Sequence, residues 1–201
     1  MYYNPNIHQR HSIRLKGYDY SRAGFYFVTI CVQKMQCLFG NITDGKMILN
    51  NSGQIVNEEW LNTAKFRQNV KIHEYVIMPN HFHGIIEITH TPVPATPLPA
   101  TPLPATPIHI PSMRPYSRTD VKNEYMSSIS PKCNELGTII RAFKSAVTKR
   151  INELYNSPQQ KLWQRNYFEN IIRDDDSYNQ ITNYIINNPA NWKNDRFFAE
   201  L

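Results

Sequence analysis

The hydrophobic and polar positions of this chain change period several times, and each change predicts an element. Over residues 81–88 the period is two, which sets His81, His83, Ile85 and Glu87 on one face of a strand and Phe82, Ile86 and Ile88 on the other. A separate apolar run, Val76 to Met78, stops at Pro79-Asn80 just before it, so two strands are expected there. Residues 24–32 (Gly-Phe-Tyr-Phe-Val-Thr-Ile-Cys-Val) are aromatic and β-branched and read as a central strand. Asp44-Gly45 signals a turn into a short strand over 46–49. Beyond an N-cap at Asn51-Ser52 the period becomes helical, with Ile55, Val56, Trp60 and Ala64 in phase. The clearest helix spans 135–155, where Leu136, Ile139, Ile140, Phe143, Val147, Ile151 and Leu154 form one stripe and Asn156-Ser157-Pro158 ends it. A last helix is predicted over 174–187, acidic at its start as the helix dipole favours and stopped by Pro189.

Composition narrows the class. A chain of 201 residues has room for one domain, and 41% hydrophobic content supplies a core, which excludes a disordered chain. No apolar run is long enough to cross a bilayer, the first residues carry no charged-then-apolar signal pattern, and three cysteines without Cys-x-x-Cys spacing suit reduced thiols; a cytoplasmic, non-membrane protein is expected. Residues 91–112 repeat an Ala-Thr-Pro-Leu-Pro unit, and proline at that density supports neither helix nor sheet. The expected organisation is a basic arm at 1–23, one domain formed by 24–90 and 113–201, and a proline-rich insertion at 91–112 that serves as an extended spacer.

Charge points towards a polyanion. Residues 112–165 hold ten Lys or Arg and four Asp or Glu within a chain of net charge +6. Arg141, Lys144, Lys149 and Arg150 fall off the apolar stripe of the long helix, so they are expected to face solvent, with Arg165 beyond it. Arg10, Arg14 and Lys16 make a second cluster in the arm, next to Tyr18 and Tyr20, whose rings suit stacking on unpaired bases. Nucleic acid is the partner such surfaces attract, and a merely solvated basic face is the alternative.

Two stretches carry candidate chemistry. His81 and His83 on one strand face can converge on a single ion, or can be half-buried histidines satisfied by hydrogen bonds. Residues 162–173, Leu-Trp-Gln-Arg-Asn-Tyr-Phe-Glu-Asn-Ile-Ile-Arg, mix polar and aromatic types; on a helix, Gln164, Tyr167, Asn170 and Ile171 would share a face. A tyrosine hydroxyl between two amides and beside Arg165 resembles a phosphate-handling group, against a ring that simply packs at an interface.

Pro79-Asn80-His81-Phe82-His83-Gly84, then residues 162–173, then Tyr184-Ile185-Ile186-Asn187-Asn188-Pro189, and the opening residues 12–20, together resemble the REP-associated branch of the single-tyrosine, HUH-type transposases. The resemblance implies an α+β fold, a ferredoxin-like or RRM-like antiparallel sheet with helices packed on it. It also implies a bacterial, nucleoid-associated enzyme, monomeric or homodimeric, that cleaves and rejoins single-stranded or hairpin DNA. His81 and His83 match the metal-binding pair and Tyr167 the nucleophile, Phe168 having no hydroxyl. Relatives carry a glutamine ligand one helical turn after the tyrosine, where this chain has Ile171; Asn170 is the expected substitute, with Gln164 or Glu169 as others. Neutral histidines with oxygen ligands suit a divalent metal, Mg²⁺ or Mn²⁺, and also Zn²⁺. The other readings are a catalytically weak DNA-binding or repressor-like module on the same fold, and a zinc-dependent hydrolase.

Overall fold

The computed structural model describes residues 18–89 and 135–198. Arg10, Arg14, Lys16 and the proline repeat lie outside the described residues. The elements run β1 (Gly24–Cys31), β2 (Gly40–Thr43), β3 (Lys46–Leu49), α1 (Asn51–Lys65), β4 (Val70–Ile77), β5 (His81–Ile88), α2 (Leu136–Leu154), β6 (Phe168–Ile172) and α3 (Asp175–Asn187).

Four strands form an antiparallel sheet in the order β4-β5-β1-β6, and β2-β3 is a separate hairpin closed at Asp44-Gly45. Both turn residues have positive φ (50° and 71°), the conformation that favours an Asp-Gly pair in a tight hairpin. The fold is therefore the α+β sheet-and-helix architecture expected from the sequence. Among the described residues, no helix is long and apolar enough to cross a membrane.

The period-two pattern divides the sheet into two faces. Tyr26, Val28, Ile30, Phe82, Ile86 and Ile88 join the large core, which α1 and α2 complete with Val56, Trp60, Ile139, Ile140, Phe143 and Val147. Trp60, Phe82 and Phe143 meet there with ring centroids 4.6 to 5.6 Å apart. Gly84 belongs to this face for a steric reason: a Cβ would stand 2.8 Å from the Phe82 ring and 2.9 Å from Trp60. Tyr20 is buried in the same core, with Tyr18 packed beside it, so the arm's Tyr20 ring is not free to stack on bases.

On the opposite face lie Phe27, Ile85 and Ile172, covered by Ile185 of α3. This helix starts where Asp174 accepts a hydrogen bond from the Ser177 amide (2.7 Å), with Asp175 and Asp176 in the first turn. It has one buried residue, against six in α2. At about 1.5–3 kcal/mol per buried large apolar side chain, α3 is held much less firmly than α2. A polar chain reinforces its first half: Tyr178 bonds His73 Nδ1 (3.0 Å), whose Nε2 bonds Glu87 (2.9 Å).

Two boundaries differ from expectation. The α1 cap is Asn50, whose Oδ1 accepts from the Gly53 amide (3.0 Å), just before the Asn51-Ser52 pair. Residues 162–173 form no helix: 168–172 are the edge strand β6, in register with β1 from Thr29↔Phe168 to Phe25↔Ile172. Before it, Trp163 bridges to Val32, and Lys144 donates to the Gln164 carbonyl (2.6 Å), holding the stretch extended. The apolar residues of this stretch serve a sheet edge, where tertiary pairing outweighs a helical phase.

Candidate metal and tyrosine site

The site is built at the Pro79-Asn80 turn between β4 and β5. Asn80 is fully buried, and its Nδ2 donates to the carbonyls of Met35 (3.2 Å) and Phe197 (2.8 Å). Its Oδ1 is thereby turned to accept from His81 Nδ1 (2.8 Å). With the proton on Nδ1, His81 presents a bare lone pair at Nε2, which is buried without a hydrogen-bond partner. His83, directly opposite Thr29 on β1, shares a 2.8 Å hydrogen bond through Nδ1 with the Thr29 hydroxyl. Its Nε2 lies 3.2 Å from the hydroxyl of Tyr184.

The C-terminal segment covers the pair. After the short 3₁₀ turn Trp192–Asn194, the Asp195 carboxylate meets the two histidines: ligand atoms of His81, His83 and Asp195 all lie within 4.8 Å of one another. Asp195 is held by the Phe197 amide (2.7 Å) and by Asn188 Nδ2 (3.1 Å). That leaves Asn188 Oδ1 buried without a partner beside the cluster. Phe197 packs over both imidazoles, 4.7 Å from His81 and 6.2 Å from His83 between centroids.

Electrostatics follow from burial. His81 and His83 are 0% and 1% exposed. Burial pushes His81 down to about 4, against the pull of Asp195; burial, then His81 and Arg196, push His83 well below 6.5. Both are neutral at pH 7, the form that ligates metal. Burial and Asp195 raise the Tyr184 hydroxyl above the usual phenol range, while Arg196 and a hydrogen bond from Asn188 oppose them. Two imidazole nitrogens, a carboxylate and an amide oxygen, two of these atoms otherwise orphaned, are a donor set that fits a divalent cation.

The other expected residues are placed as follows. Tyr167 is half-buried and packs against the large core. Asn170 is exposed on β6, opposite Phe27. Strand β1 lies between it and the histidine strand, roughly 10 Å across two strand spacings. Tyr167 lines a cavity together with Thr29, Arg196 and Phe197, next to the segment that covers the histidines, whereas Asn170 is set off from them by β1. Tyr184 and Asn188, one helical turn apart, stand beside the cluster, Tyr184 at His83 (3.2 Å) and Asn188 at Asp195 (3.1 Å). The signal was present in Tyr184-Ile185-Ile186-Asn187-Asn188-Pro189, where the tyrosine is followed at the fourth position by an amide. Asp195 had no such signal.

Of the basic residues, Arg141 and Arg165 are exposed, and so is Lys149, which has a loose contact with Glu153 (3.9 Å). Lys144 does not face solvent as a free cation: it turns inward onto the Gln164 carbonyl, and burial lowers it to about 8. Arg150 is occupied by Glu58 (2.6 Å) and Glu59 (2.7 Å) of α1.

No family model matches the chain. An uncharacterized protein of Haemophilus influenzae is 42% identical over 198 residues, covering 98% of each chain, and this chain belongs to the same family. Among solved structures, a REP-associated tyrosine transposase bound to a REP hairpin is similar over 90% of this chain and 73% of that one. Its TM-score is 0.52 at 15% identity, a likeness of fold.

Proposed function

We propose that this protein cleaves and rejoins single-stranded or hairpin DNA through a covalent 5′-phosphotyrosine formed on Tyr184. The observation that carries the reading is the 3.2 Å approach of the Tyr184 hydroxyl to a histidine of the His81–His83–Asp195 cluster. The fold shared with a REP-associated tyrosine transposase supports it. In this reading Tyr184 replaces Tyr167 as nucleophile, and Asn188 replaces Asn170 as the amide of the metal set.

His81, His83, Asp195 and Asn188 would hold Mg²⁺ or Mn²⁺. When bound, the cation supplies Lewis-acid polarisation of the phosphate and offsets charge on the leaving oxygen. The chain's own groups do the rest. Asn80 and Thr29 fix the imidazole orientations. Helix α3 presents Tyr184, 44% exposed as a residue, at the mouth of the site with its hydroxyl turned towards His83. The Tyr184 oxygen bonds to phosphorus as the bond to the 3′-oxygen breaks, and the phenolic proton is recovered on that 3′-hydroxyl. One phosphodiester replaces another, so a 3′-hydroxyl can later reverse the step without nucleotide hydrolysis.

A DNA-binding module without turnover is the second reading, favoured by the complete burial of both histidines beneath Phe197. Incubating the protein with labelled hairpin DNA and Mn²⁺ separates the two. A denaturation-resistant protein–DNA adduct supports the enzyme; DNA binding without adduct, across hairpin pools and both metals, supports the module.

A further inference from the structure

Two cavities flank the segment that covers the histidines. One, of about 270 Å³, is lined by Tyr184, Asn188 and Asp195, together with the amides of Asn187, Asn191 and Asn194. The other, of about 400 Å³, has Thr29, Gln164, Asn166, Tyr167, Phe168 and Phe197 among its lining residues. Arg196 lines both. Each is close to the size range of small-molecule sites, and each offers amide groups of the kind that read base edges; the second adds an exposed ring at Phe168.

Arg196 is poised rather than spent. Its guanidinium carbon lies 4.4 Å from the centroid of Phe197, the ring that rests on both histidines. Among the described residues it makes no ion pair, whereas Arg150 is tied to two carboxylates. Its charge is felt at His81, His83 and Tyr184, so it stands within electrostatic reach of the whole site. A planar cation, oriented by stacking and left without a carboxylate, at the junction of two nucleotide-sized cavities, is arranged to receive a phosphodiester.

We infer that Arg196 is a catalytic residue that grips the scissile phosphate, with the DNA strand crossing from the asparagine-lined cavity to the Phe168 cavity beneath its guanidinium. The inference rests on the strand-transfer reading. The phosphate would then be held from one side by Arg196 and approached from the other by Tyr184.

The test uses Arg196→Ala and Arg196→Lys in the full chain, with fluorescein-labelled (dT)20 as binding probe, hairpin DNA with Mn²⁺ for adduct formation, and Mn²⁺ affinity as the control. Expected for Arg196→Ala are unchanged Mn²⁺ affinity, a log–log salt slope on (dT)20 lower by about 0.7, and an adduct rate lower by about 10²–10³, with partial rescue in Arg196→Lys. A wild-type salt slope and rate in Arg196→Ala would overturn the assignment. So would a loss that tracks weakened Mn²⁺ binding, because Arg196 would then act only by seating Asp195. If Arg196→Ala does not fold, the Lys variant and Arg196→Gln carry the comparison. A wild-type protein that forms no adduct defeats the strand-transfer reading instead, and the (dT)20 slope still reports whether Arg196 touches phosphate.

Discussion

The Tyr184 hydroxyl and His83 Nε2 lie 3.2 Å apart although 101 positions separate them in the chain. Two elements make that meeting. Pairing with β1 fixes His83 opposite Thr29, and α3 docks on the same sheet face through Ile185, the neighbour of Tyr184. Asn188 follows one turn later on the same helix side, beside Asp195.

Tyr184→Phe should therefore abolish adduct formation, by at least about a thousandfold as for loss of other nucleophiles, with DNA affinity nearly unchanged. Tyr167→Phe should react within a few-fold of wild type, because its ring packs against the large core. Gel assays of both variants on one labelled hairpin decide between them. The opposite pattern would restore Tyr167 as nucleophile.

Metal affinity should respond to the groups behind the ligands as well as to the ligands. His81→Ala or His83→Ala should remove high-affinity Mn²⁺ binding and cleavage together while DNA binding persists. Thr29→Val keeps the volume but removes the hydroxyl on His83 Nδ1, and a loss of about 10–100-fold in Mn²⁺ affinity is expected. Calorimetric titration with Mn²⁺ measures each. Unfolding of both histidine variants would mark the pair as structural.

The sheet and its helices were legible because their signals are local. Period-two alternation placed Phe82 and His83 on opposite faces, and the stripe from Leu136 to Ile151 gave the long helix. Residues 168–172 misled because five residues cannot display a period clearly, and the pairing of Phe168 with Thr29 is set by the rest of the sheet. The histidine pair was legible as a motif. Its partners were not, since Asp195 reaches it only through the chain's return over Asn80, a tertiary contact between the Asn80 amide and the Phe197 carbonyl.

Gly84→Ala should destabilise the protein without touching the site's chemistry. The added methyl would crowd Phe82 and Trp60 at 2.8 to 2.9 Å, in a core with no slack. Overpacking of this kind costs about 1–3 kcal/mol. Urea unfolding should show a lower midpoint at unchanged slope. An unchanged midpoint would mean the two rings yield freely.

Acid should destabilise the metal-free protein through the histidines. Burial sets His81 near 4 and His83 well below 6.5, while in the unfolded chain both return to about 6.5. Below about pH 6.5 the unfolded state takes up protons that the folded state refuses, so stability is lost as pH falls from about 6.5 towards 4. The limiting slope is about 1.4 kcal/mol per pH unit for each histidine. Tm should be flat just above pH 7 and fall below 6.5. A His81→Gln/His83→Gln double variant should lose most of that acid limb, and an identical limb in that variant would place the proton uptake elsewhere.

Lys149 and Arg150 are adjacent in sequence and should differ in DNA binding. Lys149 is 76% exposed, with only a 3.9 Å contact to Glu153, so its charge is available to a polyanion. Arg150 is engaged by Glu58 and Glu59, hydrogen bonds that raise its pKa further and link α2 to α1. Lys149→Ala should weaken hairpin and scrambled DNA alike and lower the salt slope by just under one unit, the signature of a phosphate contact. Arg150→Ala frees two carboxylates and should leave affinity within about twofold, at a stability cost of about 0–1 kcal/mol because the pair is partly exposed. Anisotropy titrations at several salt concentrations, with thermal unfolding alongside, read both effects. Equal loss of affinity in the two variants would mean that Arg150 leaves its carboxylates for DNA, and that an ion pair seen in the free protein does not predict which cations bind phosphate.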